Sequence, residues 1–301
     1  MNQEPSAILS SIPSQRKSGP AIRHAEAKSI LTKTSGFIAE AGFSHSLTPA
    51  RNCTFGCVYC YVPTMRVQGG LQPEDWQRWG QYTTFKSNAA NLLQRSVRPQ
   101  DVLYCSPLVD PYQPAEEFEK LMPGILETLI SRPPRVFVIQ TRGPLILRDV
   151  AQLVELSRRA RLRISFSLTT DRDEVRRLYE PLCAPIGQRV AVMQALREAG
   201  LAVHATLAPL LPCDPERLTR LALDVTDHDI IADPFHTRAL KPRGATTRAE
   251  ALQVSRRHRF EAWHDPEFQA DVVERIRREV VLAGRRFAIG AEGFRSLART
   301  E

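Results

Sequence analysis

Short runs of β-branched and aromatic residues alternate along the middle of this chain with longer stretches whose apolar residues recur every three or four positions. The short runs lie at 43–47 (FSHSL), 101–105 (DVLYC), 135–140 (RVFVIQ), 162–168 (LRISFSL), 202–207 (AVHATL) and 229–232 (DIIA). Their length and composition predict strands. Between them, Phe118, Leu121, Met122, Ile125, Leu126 and Leu129 keep the helical period, with Pro123 either kinking that helix or opening it in a first-turn position. Further helices are expected over 146–158, 189–199 with Gly200 as its stop, and 215–223. A last helix, 266–282, carries Val272, Val273, Ile276 and Val280 on one side, and a final strand is expected over 286–289.

About six strand-then-helix units follow one another, which predicts an α/β fold with a parallel sheet and helices on its faces, either a barrel or a doubly wound sheet. A glycine-rich GxGxxG turn follows none of the strands, which argues against a dinucleotide-binding sheet. Residues 1–40 mix Ser, Pro, Lys and Gln without a sustained period and read as a flexible arm, tied down near Ile30 and Leu31. Residues 41–235 form the expected core, and 236–301 a basic extension packed on it.

Composition narrows the class. At 301 residues, 43% hydrophobic and 25% charged, the chain is too apolar to be wholly disordered. Its richest apolar run, Val136 to Ile139, is far short of the ~18 residues of a membrane span. The first residues are polar and lack a secretory h-region. These features predict a soluble cytoplasmic protein without membrane association. Lys and Arg exceed Asp and Glu by 41 to 33, a net charge of +8 that permits a polyanionic partner without naming one. The basic run Arg238, Lys241, Arg243, Arg248, Arg256, Arg257 and Arg259 is either a solvated face or a track for phosphates. Trp76 and Trp79 read as a cover for the core.

Six cysteines are too few for a disulfide framework in a chain this long. Three of them, Cys53, Cys57 and Cys60, are spaced C-x3-C-x2-C, so a single loop can grip one metal centre with three thiolates. Zinc would ask for a fourth ligand, usually from a second knuckle, and none is nearby. An electron-transfer cluster also needs a fourth thiolate, for which Cys105 is available. The third reading is a cubane with three irons held by protein and one open. Cys183 and Cys213, each beside prolines, read as packing residues.

The C-x3-C-x2-C run, with the aromatic Tyr59 before its last cysteine, resembles the signature of the radical S-adenosylmethionine (SAM) superfamily. That resemblance implies a partial (β/α)6 barrel with a [4Fe-4S] cluster in the loop after the first strand. The open iron would chelate the methionine moiety of SAM, and reductive cleavage would give a 5′-deoxyadenosyl radical. It also implies a reducing partner such as flavodoxin or ferredoxin.

Further segments are similar to the branch typified by spore photoproduct lyase: 46–61 (SLTPARNCTFGCVYCY), 110–116 (DPYQPAE), 140–149 (QTRGPLILRD), 167–170 (SLTT) and 180–185 (EPLCAP). The likeness covers roughly residues 30–235. By this resemblance Ser106 and Asp110 meet the amino group of the bound nucleoside, Arg142 the methionine carboxylate, and Ser167, with Thr169 beside it, the ribose. Cys105, at the end of the second strand, takes the place of a hydrogen-atom donor to the substrate radical. Tyr59 and Tyr61, flanking Cys60, take the place of tyrosines that restore the cofactor. The implied substrate is nucleic acid, DNA or RNA held through the basic surface. The rival readings are radical modification of RNA, a peptide or a small metabolite, and, in another class, a non-catalytic iron–sulfur or zinc module.

Overall fold

All six expected strands form in the computed structural model, which describes residues 20–65, 78–236 and 246–300. In chain order the strands are β1 (Ala21–Ala25), β2 (Leu31–Lys33), β3 (His45–Leu47), β4 (Ala50–Arg51), β5 (Tyr82–Lys86) and β6 (Val102–Cys105), followed by β7 (Val136–Thr141), β8 (Arg161–Ser167), β9 (Val203–Leu207), β10 (Ile230–Ala232) and β11 (Phe287–Ile289). The large sheet runs β11-β10-β9-β8-β7-β6-β3-β2, every neighbour parallel except the β2–β3 pair. Its two end strands do not pair with each other, so the sheet is an open, partial barrel of the β/α type. The sixth β/α strand, β10, is not the edge: β11, from the C-terminal part of the chain, pairs beside it.

Side chains alternate across these strands, and the alternation sorts them into two environments. Leu103, Phe137, Ile139, Ile164, Phe166, Ala205 and Leu207 join a cluster with the helices Leu121–Ser131, Val150–Ser157, Ile186–Glu198 and Pro215–Val225. On the other face, Tyr104, Val136 and Val138 pack with Phe294 and Leu297 of the helix Gly290–Ala298. That second face turns polar toward the strand ends. Tyr104 Oη donates to Gln140 Oε1 (2.8 Å), Ser165 Oγ donates to the same oxygen (2.6 Å), and Gln140 Nε2 donates to Ser167 Oγ (2.8 Å).

Several elements differ from expectation for local reasons. The helix expected over 118–129 is two pieces, Glu116–Glu119 and Leu121–Ser131, broken by Lys120 in the left-handed region, with Pro123 inside the first turn of the second. The one expected over 146–158 begins as a 3₁₀ turn, Pro144–Asp149. Within the expected flexible arm, residues 20–40 carry β1, β2 and the short helix Gly36–Glu40. β1 is held by five parallel pairs with β5 and by Arg23 over the Tyr82 ring. Ile30, as expected, is anchored: it is buried, and its carbonyl accepts from Thr48 N. Residues 1–19 of that arm, Trp76, and the basic residues Arg238, Lys241 and Arg243 lie outside the described residues. Among the described residues no helix is long and apolar enough to cross a membrane.

Candidate active site

β3 and β4 deliver the chain into the loop that carries Cys53, Cys57 and Cys60. The loop is shaped by two left-handed positions, Asn52 (φ 64°) and Gly56 (φ 61°). At Gly56 a Cβ would sit 3.2 Å from Gly80 Cα and 3.6 Å from Trp79 O, so the glycine admits the backbone of that neighbouring segment. Gln113, fully buried, pins the loop: its Oε1 accepts from Thr54 N (2.8 Å) and Thr54 Oγ1 (3.1 Å). Thr83 Oγ1 donates to Asn52 O (3.0 Å) from β5. All six cysteines are free thiols, and Cys53 and Cys57 are buried while Cys60 is partly exposed.

The end of β7 lies against this loop. Asp110 organises the junction: Thr141 Oγ1 (2.6 Å) and Tyr112 N (2.9 Å) donate to its Oδ1, and Arg142 N donates to its Oδ2 (2.8 Å). Burial nonetheless pushes the Asp110 carboxyl above its ordinary range. Gly143 follows because a Cβ there would meet Tyr112 O at 2.2 Å. The turn aims Arg142 at the cysteine loop, where Nη1 lies 3.9 Å from Cys57 Sγ and donates to Tyr59 Oη and Glu180 Oε1.

Glu180 is the hub. It is fully buried and accepts from Arg142, Arg189, Tyr59 Oη (2.5 Å) and Thr169 Oγ1 (3.1 Å). Burial by itself would raise its pKa, but Arg189 and Arg142 outweigh that and hold it at about 2. Behind it, Cys183 Sγ lies 3.9 Å from Cys57 Sγ. The Cys183 contact and Arg142 keep the Cys57 thiol below its ordinary value against the effect of burial, whereas burial pushes Cys60 up to about 12.

The residues singled out from the sequence therefore fall into groups. Cys57, Tyr59, Arg142, Asp110 and Thr169 share one network. Ser167 belongs to the Gln140 ladder, and Ser106 is buried with its Oγ 3.4 Å from Thr48 Oγ1. Tyr61 is half-exposed, and burial of its hydroxyl surroundings with Cys60 and Asp233 nearby pushes it up to about 12. Cys105 is not on the Tyr104–Gln140–Ser167 face: alternation turns it to the side of Leu103 and Ile139, fully buried, and burial raises its thiol strongly. Cys183, read as packing, is buried as expected but touches a loop cysteine. Of the basic run, Arg256, Arg257 and Arg259 are exposed, and Arg248 pairs with Glu250.

Gln113, Glu180 and Arg189 were missed. One signal for the latter pair was present: Arg189 stands on the stripe Ile186, Arg189, Val192, Met193, Leu196, all buried. A guanidinium on an apolar stripe requires a buried acid.

The radical SAM superfamily profile matches residues 47–220, more than half of the chain, and the chain belongs to that superfamily. A [4Fe-4S] cluster and SAM are the cofactors of that superfamily. An uncharacterized protein of Mycobacterium tuberculosis is 28% identical over 190 residues, 62% of this chain and 54% of that one. An uncharacterized protein of Methanocaldococcus jannaschii is 24% identical over 160 residues, 53% of this chain and 58% of that one. The match thus spans about half the length of these curated relatives. In fold, the chain is similar to spore photoproduct lyase variants. One is solved with a dinucleoside spore photoproduct (TM-score 0.55, 13% identity, 89% of this chain, 81% of that one). Another, with the same coverage, TM-score and identity, holds bound AdoMet and the dinucleoside.

The donor set fits the cluster. Three free thiols come from one loop, and Cys57 lies close enough to both Cys53 and Cys60 to raise their thiols. A cubane asks for neighbouring thiolates, each taking a different iron.

Proposed function

We propose that this radical SAM enzyme acts on nucleic acid in a photoproduct-lyase-like repair reaction, with Cys53, Cys57 and Cys60 each giving one thiolate to the cluster. The observation that carries the reading is the seat of the C-x3-C-x2-C loop: it lies against the C-terminal end of β7, in a fold whose solved neighbour holds a dinucleoside photoproduct. The cluster, when bound, supplies the electron that breaks the sulfonium C–S bond of SAM.

The chain's own residues set the surroundings. Among the described residues the side-chain hydrogen bonds of Arg142 run through Nη1. Nη2 and Nε are left for the methionine carboxylate in this reading, and the planar fork suits it. Ser106 and Asp110 serve the amino group, and Ser167 and Thr169 the ribose. Glu180 offsets one of the two buried guanidinium charges of Arg142 and Arg189, and in this reading the methionine carboxylate offsets the other. Tyr59, Trp79 and Phe235, all buried, keep water from the cleft. A target base reaches the cleft by leaving its stack, while exposed Arg256, Arg257 and Arg259 meet the phosphates. Cys105, turned to the helix side, serves packing in this reading rather than hydrogen donation. A flavodoxin- or ferredoxin-type carrier in the cytoplasm supplies the electron.

Anaerobically reconstituted protein given dithionite, SAM and a dinucleoside photoproduct tests the substrate. Faster release of 5′-deoxyadenosine with loss of the photoproduct is expected. If neither damaged nor intact DNA or RNA changes the rate, and a peptide or metabolite does, the nucleic-acid reading is wrong.

A further inference from the structure

At the N-terminal ends of the strands, away from the ends that face the cysteine loop, the starts of β8 and β9 and the loop before β10 line an open cavity of about 390 Å³. That volume is within the range of small-molecule sites, roughly 300–1,000 Å³. Its charged and polar lining is Arg161, Arg163, Arg299, His204, His228 and the pair Asp227 and Asp229.

Two of these groups are short of partners among the described residues. Arg163 is buried and donates through Nη1 to Leu297 O (2.5 Å) and Arg299 O (2.7 Å), both neutral carbonyls. Among the described residues it forms no ion pair with a carboxylate. Of the two aspartates, Asp227 is already engaged by Arg197 (2.7 Å) and Arg285 (3.8 Å). Burial, aided by Arg161 and Arg299, holds the Arg163 pKa down to about 10. His204, 5% exposed, is stacked on His228 with ring centroids 4.3 Å apart, and neither of its ring nitrogens has a hydrogen-bond partner. A neutral imidazole always carries one N–H donor, and leaving it buried without an acceptor is costly.

We propose that this cavity binds a phosphate group, free or as the terminus of a small phosphomonoester, between the Arg163, Arg161 and Arg299 guanidiniums, with His204 donating to it. A tetrahedral oxyanion supplies both missing partners at once: a negative charge for Arg163 and an acceptor for His204. Capping the last carbonyls of the helix Gly290–Ala298 accounts for Arg163 Nη1 but not for His204 or for the convergence of three arginines. A cation is the wrong ligand, because the arginines outnumber the aspartates and no three metal-ligating side chains converge among the described residues. The site is independent of the SAM reading, since none of its lining residues belongs to the Glu180 network.

Thermal unfolding of the full chain in sodium phosphate, methyl phosphate and sodium chloride at equal ionic strength tests it. Phosphate is expected to raise the midpoint by at least about 2 °C over chloride at saturation. A shift with methyl phosphate as well assigns the site to a monoester, and a shift with inorganic phosphate alone to the free ion. His204→Phe keeps the ring stack and removes the orphaned nitrogens. Its midpoint in chloride should equal or exceed that of the wild type, while its phosphate shift falls to a small fraction. Arg163→Met should abolish the shift even though its baseline drops with the helix cap. Equal midpoints in phosphate and chloride for the wild type overturn the proposal. So does a phosphate shift that survives in both variants.

Discussion

A carboxylate between two guanidiniums, with no water-exposed surface of its own, ties the cysteine loop to the strand ends. Because Glu180 is held at about 2 in the folded chain against roughly 4.3 when unfolded, its charge adds stability that is complete above the unfolded value. That contribution is lost as pH falls through about 2. Urea unfolding should therefore show the wild type losing more stability between about pH 4.5 and pH 2 than Glu180→Gln does. Near neutral pH the same substitution leaves Arg142 and Arg189 buried without their acid and should cost about 3–5 kcal/mol. A variant as stable as the wild type would remove Glu180 from its place as the hub. The three loop cysteines were legible at this scale because a metal-binding spacing is local. Glu180 was not: its partners stand 38 residues upstream and 9 downstream. Only the fold brings them together.

The turn after β7 shows how an element delivers a side chain. Thr141 and the backbone of Arg142 are fastened to Asp110, and Gly143 lets Tyr112 O approach where a side chain would stand. Gly143→Ala should lower unfolding stability by more than about 1 kcal/mol and weaken SAM binding, checked by urea titration and by equilibrium dialysis of labelled SAM. An alanine variant unchanged in both would mean that the turn does not position Arg142. The six main strands were readable because β-branched runs bounded by turns leave few alternatives. β1, β2 and β4 were not: β2 and β4 are only three and two residues long, and β1 is largely exposed. Their stability comes from pairing, which one segment cannot announce. The restart of the helix was legible from Pro123 in its first turn, whereas the left-handed Lys120 before it was silent, since lysine gives no sign of such a residue.

Across the whole molecule, the two ends of the strands carry different polar groups. The ends toward the cysteine loop hold the Asp110–Arg142–Glu180 network, and the opposite ends hold the arginine-lined cavity. The C-terminal segment reaches both. Arg248 N donates to Tyr59 O (3.3 Å), Tyr179 Oη and Ser255 Oγ are 2.7 Å apart, β11 extends the sheet, and Phe294 and Leu297 cover its second face. The period of 266–282 and the apolar character of 286–289 foretold the helix and the strand. That β11 would sit beside β10 needed the register Ile230↔Phe287. The most direct test of the account is SAM cleavage by the anaerobically reconstituted chain under dithionite, measured as 5′-deoxyadenosine, with Cys57→Ala and Cys105→Ala alongside. The wild type and Cys105→Ala should each hold about four irons and release the nucleoside, and Cys57→Ala should lose both. Iron retained in Cys57→Ala, or lost as fully in Cys105→Ala, would contradict a cubane held by Cys53, Cys57 and Cys60.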